Sequence, residues 1–246
     1  MTLELGGKSA QLIFPDANVD NAVKGVVSGI FAATGQTCIA GSRVLVHKSI
    51  HDEFLEKFIA LAKTARMGDP MSLETQVGPV TTRPQFEKIL GCIESARKEG
   101  AECVLGGGAS TRAECGSGWF VEPTVFDKVN NDMTIAQQEV FGPVLSVIEF
   151  TDDEEAYHLA NDTNYGLAAG VWTRDTKRMF TAAKKVRAGN IWTNSYRTVS
   201  YMAPFGGFKS SGVGRESGQD AIWDYLETKS VWIDYGEEQA NPFILR

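Results

Sequence analysis

Long hydrophobic runs are missing from this sequence. No apolar stretch in the 246 residues approaches the ~20 residues that a bilayer-spanning helix needs, which excludes a transmembrane helix. No basic segment leading into an apolar one opens the chain, so a secretory leader is not expected. Positive charge is also short: 24 Lys and Arg stand against 31 Asp and Glu, for a net charge of −7 and a sequence pI near 5.1. Nucleic acids and anionic membranes both demand concentrated Lys and Arg, and the Lys/Arg clusters here are short, such as Lys184, Lys185 and Arg187 at an expected helix end. Neither partner is therefore expected. There are only three histidines and four cysteines. Cys38, Cys92, Cys103 and Cys115 show no C-x-x-C spacing and read as free thiols of a cytoplasmic protein rather than a disulfide frame. His47 and His51 are four apart, but a strand-to-helix switch between them and the lack of a thiol or carboxylate at ligand spacing argue against zinc. They read as two surface histidines, and no metal is expected.

Three common signatures are absent as well. "GGKS" at 6–9 has the end of a phosphate-binding P-loop without its first glycine, since position 2 is Thr2. "GVGRESG" at 212–218 has one residue too many for the dinucleotide fingerprint, and no βαβ unit follows it. No G-x-S-x-G nucleophile elbow occurs.

What is present is an ordinary globular composition, 43% hydrophobic and 22% charged, in a chain long enough to bury a substantial core. Strand-like and helix-like patterns alternate. "SAQLIF" (9–14), "SRVLVHKSI" (42–50), "ECVLGG" (102–107), "VLSVIEF" (144–150), "LAAGVWT" (167–173) and "NIWTNS" (190–195) read as strands. Helical spacing of apolar residues runs over 18–34, 51–66, from Pro84 to Gly100, 152–161 and 175–187. Strands separated by crossover helices predict an α/β fold: three αβα layers around a mostly parallel sheet. Two connections, 104–124 and 196–218, are long and rich in glycine or proline, as functional loops often are. The tail at 230–246 reads as a strand with an irregular end, with no evident partner in the chain, which suggests pairing with another subunit. The chain enters patterned sequence at once in "MTLELGGKSA", which leads us to expect a truncated start.

Three residues attract attention on chemical grounds. Cys38 lies in "FAATGQTCIAGSR" (31–43), in a tight turn where a helix pattern ends at Gly35. By pattern alone it is either a structural thiol, as Cys92 beside Ile89 and Ile93 reads, or a reactive one. Glu4 in "LELGG" sits among apolar and glycine neighbours, where desolvation would lift its pKa toward that of a general base; the alternative is an exposed edge carboxylate. Glu139 in "QQEVFGPV" precedes an aromatic and a Gly-Pro turn able to hold it toward a cleft, or is an ordinary loop carboxylate.

Taken together, "LELGGKSA", "GQTCIAGSR", "QEVFGPV", "NYGLAAGVWT", "GNIWTNS" and "PFGGFKSSGVGRE" resemble, in order, the signature segments of the NAD(P)-dependent aldehyde dehydrogenase superfamily. Glu4 precedes Cys38 by 34 residues, an interval that fits that family. The resemblance runs from residue 2 to about 235 and implies the family's catalytic fold over 1–229, with a C-terminal oligomerisation strand and tail over 230–246. It implies that Cys38 is the nucleophile, attacking an aldehyde to give a thiohemiacetal that becomes a thioester once hydride passes to NAD or NADP. It implies that Glu4 is the general base for thioester hydrolysis and that the Cys38 backbone N–H forms half of the oxyanion site. Glu139 matches the carboxylate that binds the nicotinamide ribose, Phe141 the aromatic beside it, and Gly6 and Gly7 the close-packed turn near the nicotinamide. Asn194 matches an asparagine near the catalytic loop, with a structural role.

The resemblance also has gaps. Family members are about twice as long, and the half that carries the coenzyme-binding domain has no counterpart in this sequence. Family members often carry Asn where Ala33 stands, a difference expected to bear on packing. The implied protein oxidises a small aldehyde as a homo-oligomer, while little dehydrogenase activity is expected of the 246 residues alone. Two other readings compete: a cofactor-free thiol esterase, and a non-catalytic subunit that only assembles.

Overall fold

A computed structural model describes residues 1–236 and 241–244. In chain order the strands are β1 (Leu3–Glu4), β2 (Ala10–Ile13), β3 (Arg43–His47), β4 (Glu102–Leu105), β5 (Thr124–Asp127), β6 (Val144–Phe150), β7 (Tyr165–Gly166), β8 (Ala168–Trp172), β9 (Asn190–Thr193), β10 (Phe208–Lys209) and β11 (Gly212–Val213). The helices are α1 (Val19–Phe31), α2 (His51–Ala62), α3 (Arg83–Lys98), α4 (Thr134–Gln137), α5 (Asp153–Asn161) and α6 (Thr176–Lys185). Seven strands form one sheet in the order β4-β5-β6-β3-β2-β8-β9, parallel throughout except for the β4–β5 pair. The expected α/β fold with a mostly parallel sheet is thus present.

Alternation along the strands builds two cores. Leu12, Leu45 and Ile148 face Ile89 and Ile93 of α3, Ala156 and Tyr157 of α5, and Ala182 of α6. Ile13, Val44, Val46 and Leu145 face the opposite way, onto Val23, Val26 and Ile30 of α1 and Phe54 and Phe58 of α2. A strand has period two, so a sheet buried on both faces reads as a continuous apolar run, as these do. Local signals set the helix starts: Asn18 caps α1 by accepting the Asn21 N–H, Thr82 caps α3 ahead of Pro84, and Asp152 and Asp175 cap α5 and α6. Gly100 takes φ +98° just past α3, the left-handed stop that glycine tolerates.

Some expectations fail. β5 was not predicted: four residues between Pro123 and a left-handed Lys128 leave too short a pattern to read. The small antiparallel pairs β1–β11 and β7–β10 were also unforeseen, because two-residue strands have no periodicity. The strand expected of the tail as a subunit contact is a separate matter: residues 230–236 and 241–244 pair with no described residue of their own chain, and residues 237–240 and 245–246 lie outside the described residues. No helix among the described residues is long and apolar enough to cross a membrane.

His51 is not the surface histidine expected. It is buried at the start of α2, with Nε2 2.9 Å from Asp127 Oδ1 and Nδ1 2.8 Å from Asp52 Oδ1. Burial works against the imidazolium, but bonds to Asp52 and Asp127 and the charges of Asp127 and Glu149 outweigh it and raise the pKa above 6.5. A raised histidine pKa contributes stability that is full below 6.5 and lost as pH climbs through the folded-state value. Urea midpoints of the wild type are therefore expected to fall as pH rises from that point, and Asp127→Asn to flatten that part of the profile. An unchanged slope in Asp127→Asn would remove His51 as its source.

Candidate active site

The register Ala10↔Arg43↔Ser146 aligns β2, β3 and β6 side by side and parallel. The segments that lead into them, 6–9, 36–42 and 138–143, therefore emerge at one end of the sheet. This is the amino end, whereas open α/β sheets generally bind ligands beyond the carboxyl ends. Cys38, Gly6, Gly7, Glu139 and Phe141 all lie on these three segments.

The segments pack backbone to backbone. The Gly7 N–H donates to Glu139 Oε1 at 2.9 Å, and a Cβ on Gly7 would meet the Cys38 carbonyl oxygen at 2.4 Å. A Cβ on Gly6 would lie 2.4 Å from Glu139 Oε2. Both glycines are needed for close approach rather than for an unusual φ. Gly35, at φ +69°, brings the cysteine loop onto the turn before β6: its Cβ would sit 2.1 Å from the Gly142 oxygen. That turn is pinned from α3, where Gln85 Nε2 donates to the carbonyls of Val140 (2.8 Å) and Phe141 (3.0 Å) and Lys88 Nζ to that of Glu139 (2.9 Å). Gln85 and Lys88 were missed in the sequence, although their i, i+3 spacing puts them on one helix face.

Half-buried Cys38 packs with Ile39, Leu167 and Ala168. Burial pushes its thiol pKa up, the Glu4 carboxylate pushes it further, the N–H groups of Ile39 and Cys38 oppose the rise, and Glu139 adds to it. The thiol therefore rests protonated at neutral pH and needs a base to become a nucleophile. Glu4 is the exposed edge residue of β1, paired with Gly212 of β11. Its carboxyl pKa is nonetheless raised, by partial burial first and then by the Glu216 charge. The desolvated setting expected of "LELGG" is only partial, because Leu3 and Leu5 are themselves exposed. Phe141 is half-buried at φ +56°.

Asn194 sits apart from the thiol in the left-handed region, φ 52°, and ties β9 to the end of β8: Oδ1 accepts the Thr173 N–H and Nδ2 donates to the Thr173 carbonyl. Ala33, expected to matter through packing, matters through its backbone: at φ 51°, beside Thr34 at φ 59°, it holds a left-handed conformation that costs an alanine about 1–2 kcal/mol and that asparagine tolerates better. Behind the site two cations are buried on one face. Arg43 is bonded at all three nitrogens, whereas Lys8 Nζ has no hydrogen-bond partner among the described residues and its pKa is lowered to about 7, by burial first and then by the Arg43 charge.

The sequence model of the aldehyde dehydrogenase family matches residues 1–231. The chain belongs to the aldehyde dehydrogenase family. Among curated relatives it is 44% identical over 237 residues to a betaine aldehyde dehydrogenase of Brucella anthropi, covering 96% of this chain and 49% of the relative. It is 43% identical over 242 residues to one of Mesorhizobium japonicum, covering 98% and 50%. The chain thus spans about half the length of the curated relatives it matches. Among solved structures, the betaine aldehyde dehydrogenase of Staphylococcus aureus in complex with NAD+ superimposes with a TM-score of 0.96 at 38% identity, over 98% of this chain and 49% of that one. The NAD+ complex of an aldehyde dehydrogenase from Bacillus cereus gives 0.91 at 43% identity, over 96% and 47%. The family resemblance read from six sequence segments is therefore borne out.

Proposed function

We propose that this chain carries the thiol chemistry of an NAD(P)-dependent aldehyde oxidation, with Cys38 as nucleophile. The observation that carries the reading is the convergence of the Cys38 loop, the Gly6–Gly7 turn and Glu139 at the amino ends of three adjacent strands. The Cys38 thiol gives its proton to a solvent base, the resulting thiolate forms a carbon–sulfur bond to the carbonyl carbon, and the electron pair of the C=O moves to oxygen, within reach of the Cys38 N–H. A bound nicotinamide coenzyme would supply the hydride acceptor that this oxidation to a thioester requires. Glu4 then draws a proton from water, the hydroxide adds to the thioester, and the carbon–sulfur bond breaks to return the thiolate.

The residues present fit the nicotinamide-ribose end of such a coenzyme. Glu139 spends Oε1 on the Gly7 N–H and keeps Oε2 as an acceptor above Gly6, where any Cβ would intrude. Those two groups, with Phe141 alongside, would hold it. The 246 residues contain no glycine fingerprint for its pyrophosphate. The relatives' names suggest a small aldehyde such as betaine aldehyde as substrate. Residues 1–229 form the catalytic unit in this reading, which keeps the cytoplasm as the compartment. The tail from 230, with Val231, Trp232, Ile233 and Tyr235 exposed, joins subunits.

A second reading, thiol esterase activity, is favoured by the same cysteine and glutamate, because ester turnover needs no hydride step. The test is direct. With NAD+ and betaine aldehyde the purified chain is expected to form no NADH above background, while it hydrolyses p-nitrophenyl acetate at a rate that Cys38→Ala abolishes. Equal ester rates in the two proteins would remove Cys38 as nucleophile, and clear NADH formation would show that these residues hold the coenzyme unaided.

A further inference from the structure

We propose that Tyr196 is a positioning residue for Cys38, holding the cysteine loop through the carbonyl of Ile39. This inference rests on the reading of Cys38 as nucleophile. Tyr196 follows β9 in the long connection, and its hydroxyl donates to the Ile39 carbonyl oxygen at 2.9 Å. Its position is fixed from both sides. A Cβ on Gly29 of α1 would lie 3.0 Å from the Tyr196 ring, and one on Gly170 of β8 would lie 2.9 Å from it, so two glycines make the slot that the ring fills. Trp192 closes the edge in a T-shaped contact, with ring centroids 4.9 Å apart. Burial holds the phenol pKa well above its ordinary value, so the hydroxyl keeps the proton it donates.

The bond reaches the chemistry through one residue. The backbone N–H groups of Ile39 and Cys38 both oppose the rise in the Cys38 thiol pKa. Tyr196 thus fixes the peptide that follows Ile39, one residue beyond Cys38. The next link is also tight: Ala40 donates to the Thr37 carbonyl at 3.0 Å and Ser42 to that of Ala40 at 2.8 Å. Removing the hydroxyl leaves the Ile39 carbonyl, buried beside an apolar cluster, without its side-chain donor, and loosens the Ile39–Ala40 peptide that fixes the backbone on which the Cys38 sulfur rides. The charged groups that face the thiol are Glu4 from β1 and Glu139 from the turn before β6, and neither is touched by the change.

The test is the pH profile of Cys38 alkylation by iodoacetamide, resolved by mass spectrometry, in the full 246-residue chain. Tyr196→Phe keeps the ring and removes the bond. It is expected to move the alkylation midpoint up by about half a pH unit, about threefold slower labelling at pH 7. Phe54→Leu, in the core between α2 and β3, is expected to lower stability without moving the midpoint, which separates positioning from loss of packing. If Tyr196→Phe fails to fold, 3-fluorotyrosine at 196 reads the same bond: a stronger donor of nearly equal volume should lower the midpoint. An unmoved midpoint in whichever of these proteins folds overturns the proposal. A wild-type Cys38 that iodoacetamide does not label at any pH overturns instead the reading of it as nucleophile.

Discussion

Gly35→Ala is expected to cost about 3 kcal/mol or more of folding free energy and to part the cysteine loop from the turn that carries Glu139. Two independent effects add at this position. Gly35 has φ +69°, a left-handed conformation that costs an alanine about 1–2 kcal/mol. The new methyl would also lie 2.1 Å from the Gly142 oxygen, 2.4 Å from its carbonyl carbon and 2.9 Å from Pro143 N, all backbone atoms that no side-chain rotation can move aside. The turn cannot retreat freely either, because Gln85 and Lys88 hold its carbonyls from α3 and Gly142 already lies against Ile89. Strain must therefore pass into the cysteine loop, which already carries left-handed Ala33 and Thr34. Gly91→Ala supplies the contrast. Gly91 is within α3 with nothing inside 4 Å of its would-be Cβ, and the change is expected to stabilise by about 0.5–1 kcal/mol. Urea unfolding of both variants decides the matter: equal midpoints would mean that the Gly35–Gly142 contact holds nothing in place.

How much of this was legible in the sequence follows from what carries a pattern. Leu12 and Leu45 on one face and Ile13 and Val44 on the other could be read as strands because apolar runs bounded by Pro15 and glycine have few alternatives. The helix caps Asn18, Thr82, Asp152 and Asp175 are equally local signals, though the sequence reading named none of them as a cap. The site was legible only through the order of six segments, since no local feature of Cys38, Glu4 or Glu139 distinguishes it from an ordinary thiol or carboxylate. What sequence could not supply were contacts between segments far apart. Gly7 meets Glu139 across 132 residues and Tyr196 meets Ile39 across 157. The unpredicted Gln85, Lys88 and Tyr196 act on backbone carbonyls, which any residue presents, so no residue type at the other end marks the pair. Glu4 marks the opposite limit. Its glycine and leucine neighbours implied burial, but β1 is a two-residue strand paired only with β11, with Leu3 and Leu5 left exposed.

The second large effect is expected behind the site, where Arg43→Met should cost about 3–5 kcal/mol while Lys8→Met costs little or stabilises. The two cations share one face of the sheet but not one fate. Arg43 is 1% exposed and uses all three nitrogens: Nε donates to the Lys8 carbonyl at 3.1 Å, Nη1 to Asn131 Oδ1 at 2.8 Å and the Leu159 carbonyl at 2.9 Å, and Nη2 to the Ala160 carbonyl at 2.9 Å. Leu159 and Ala160 lie in the last turn of α5, where carbonyls lack helical partners and the helix dipole favours a cation. Methionine would fill much of the volume and leave four acceptors without a donor. Lys8, 1% exposed, has no hydrogen-bond partner at Nζ among the described residues, so methionine there removes a desolvated amine and breaks none of their bonds. The signs with pH also differ. The Lys8 pKa falls from 10.5 to about 7 on folding, so the unfolded chain binds the extra proton between those values. Its burden on the fold is full below about pH 7 and eases as pH rises toward 10.5, and the advantage of Lys8→Met over the wild type should shrink over the same interval. Urea midpoints at pH 6, 8 and 9.5 for the three proteins test this. A Lys8→Met variant that loses as much stability as Arg43→Met would mean that the lysine has a partner after all.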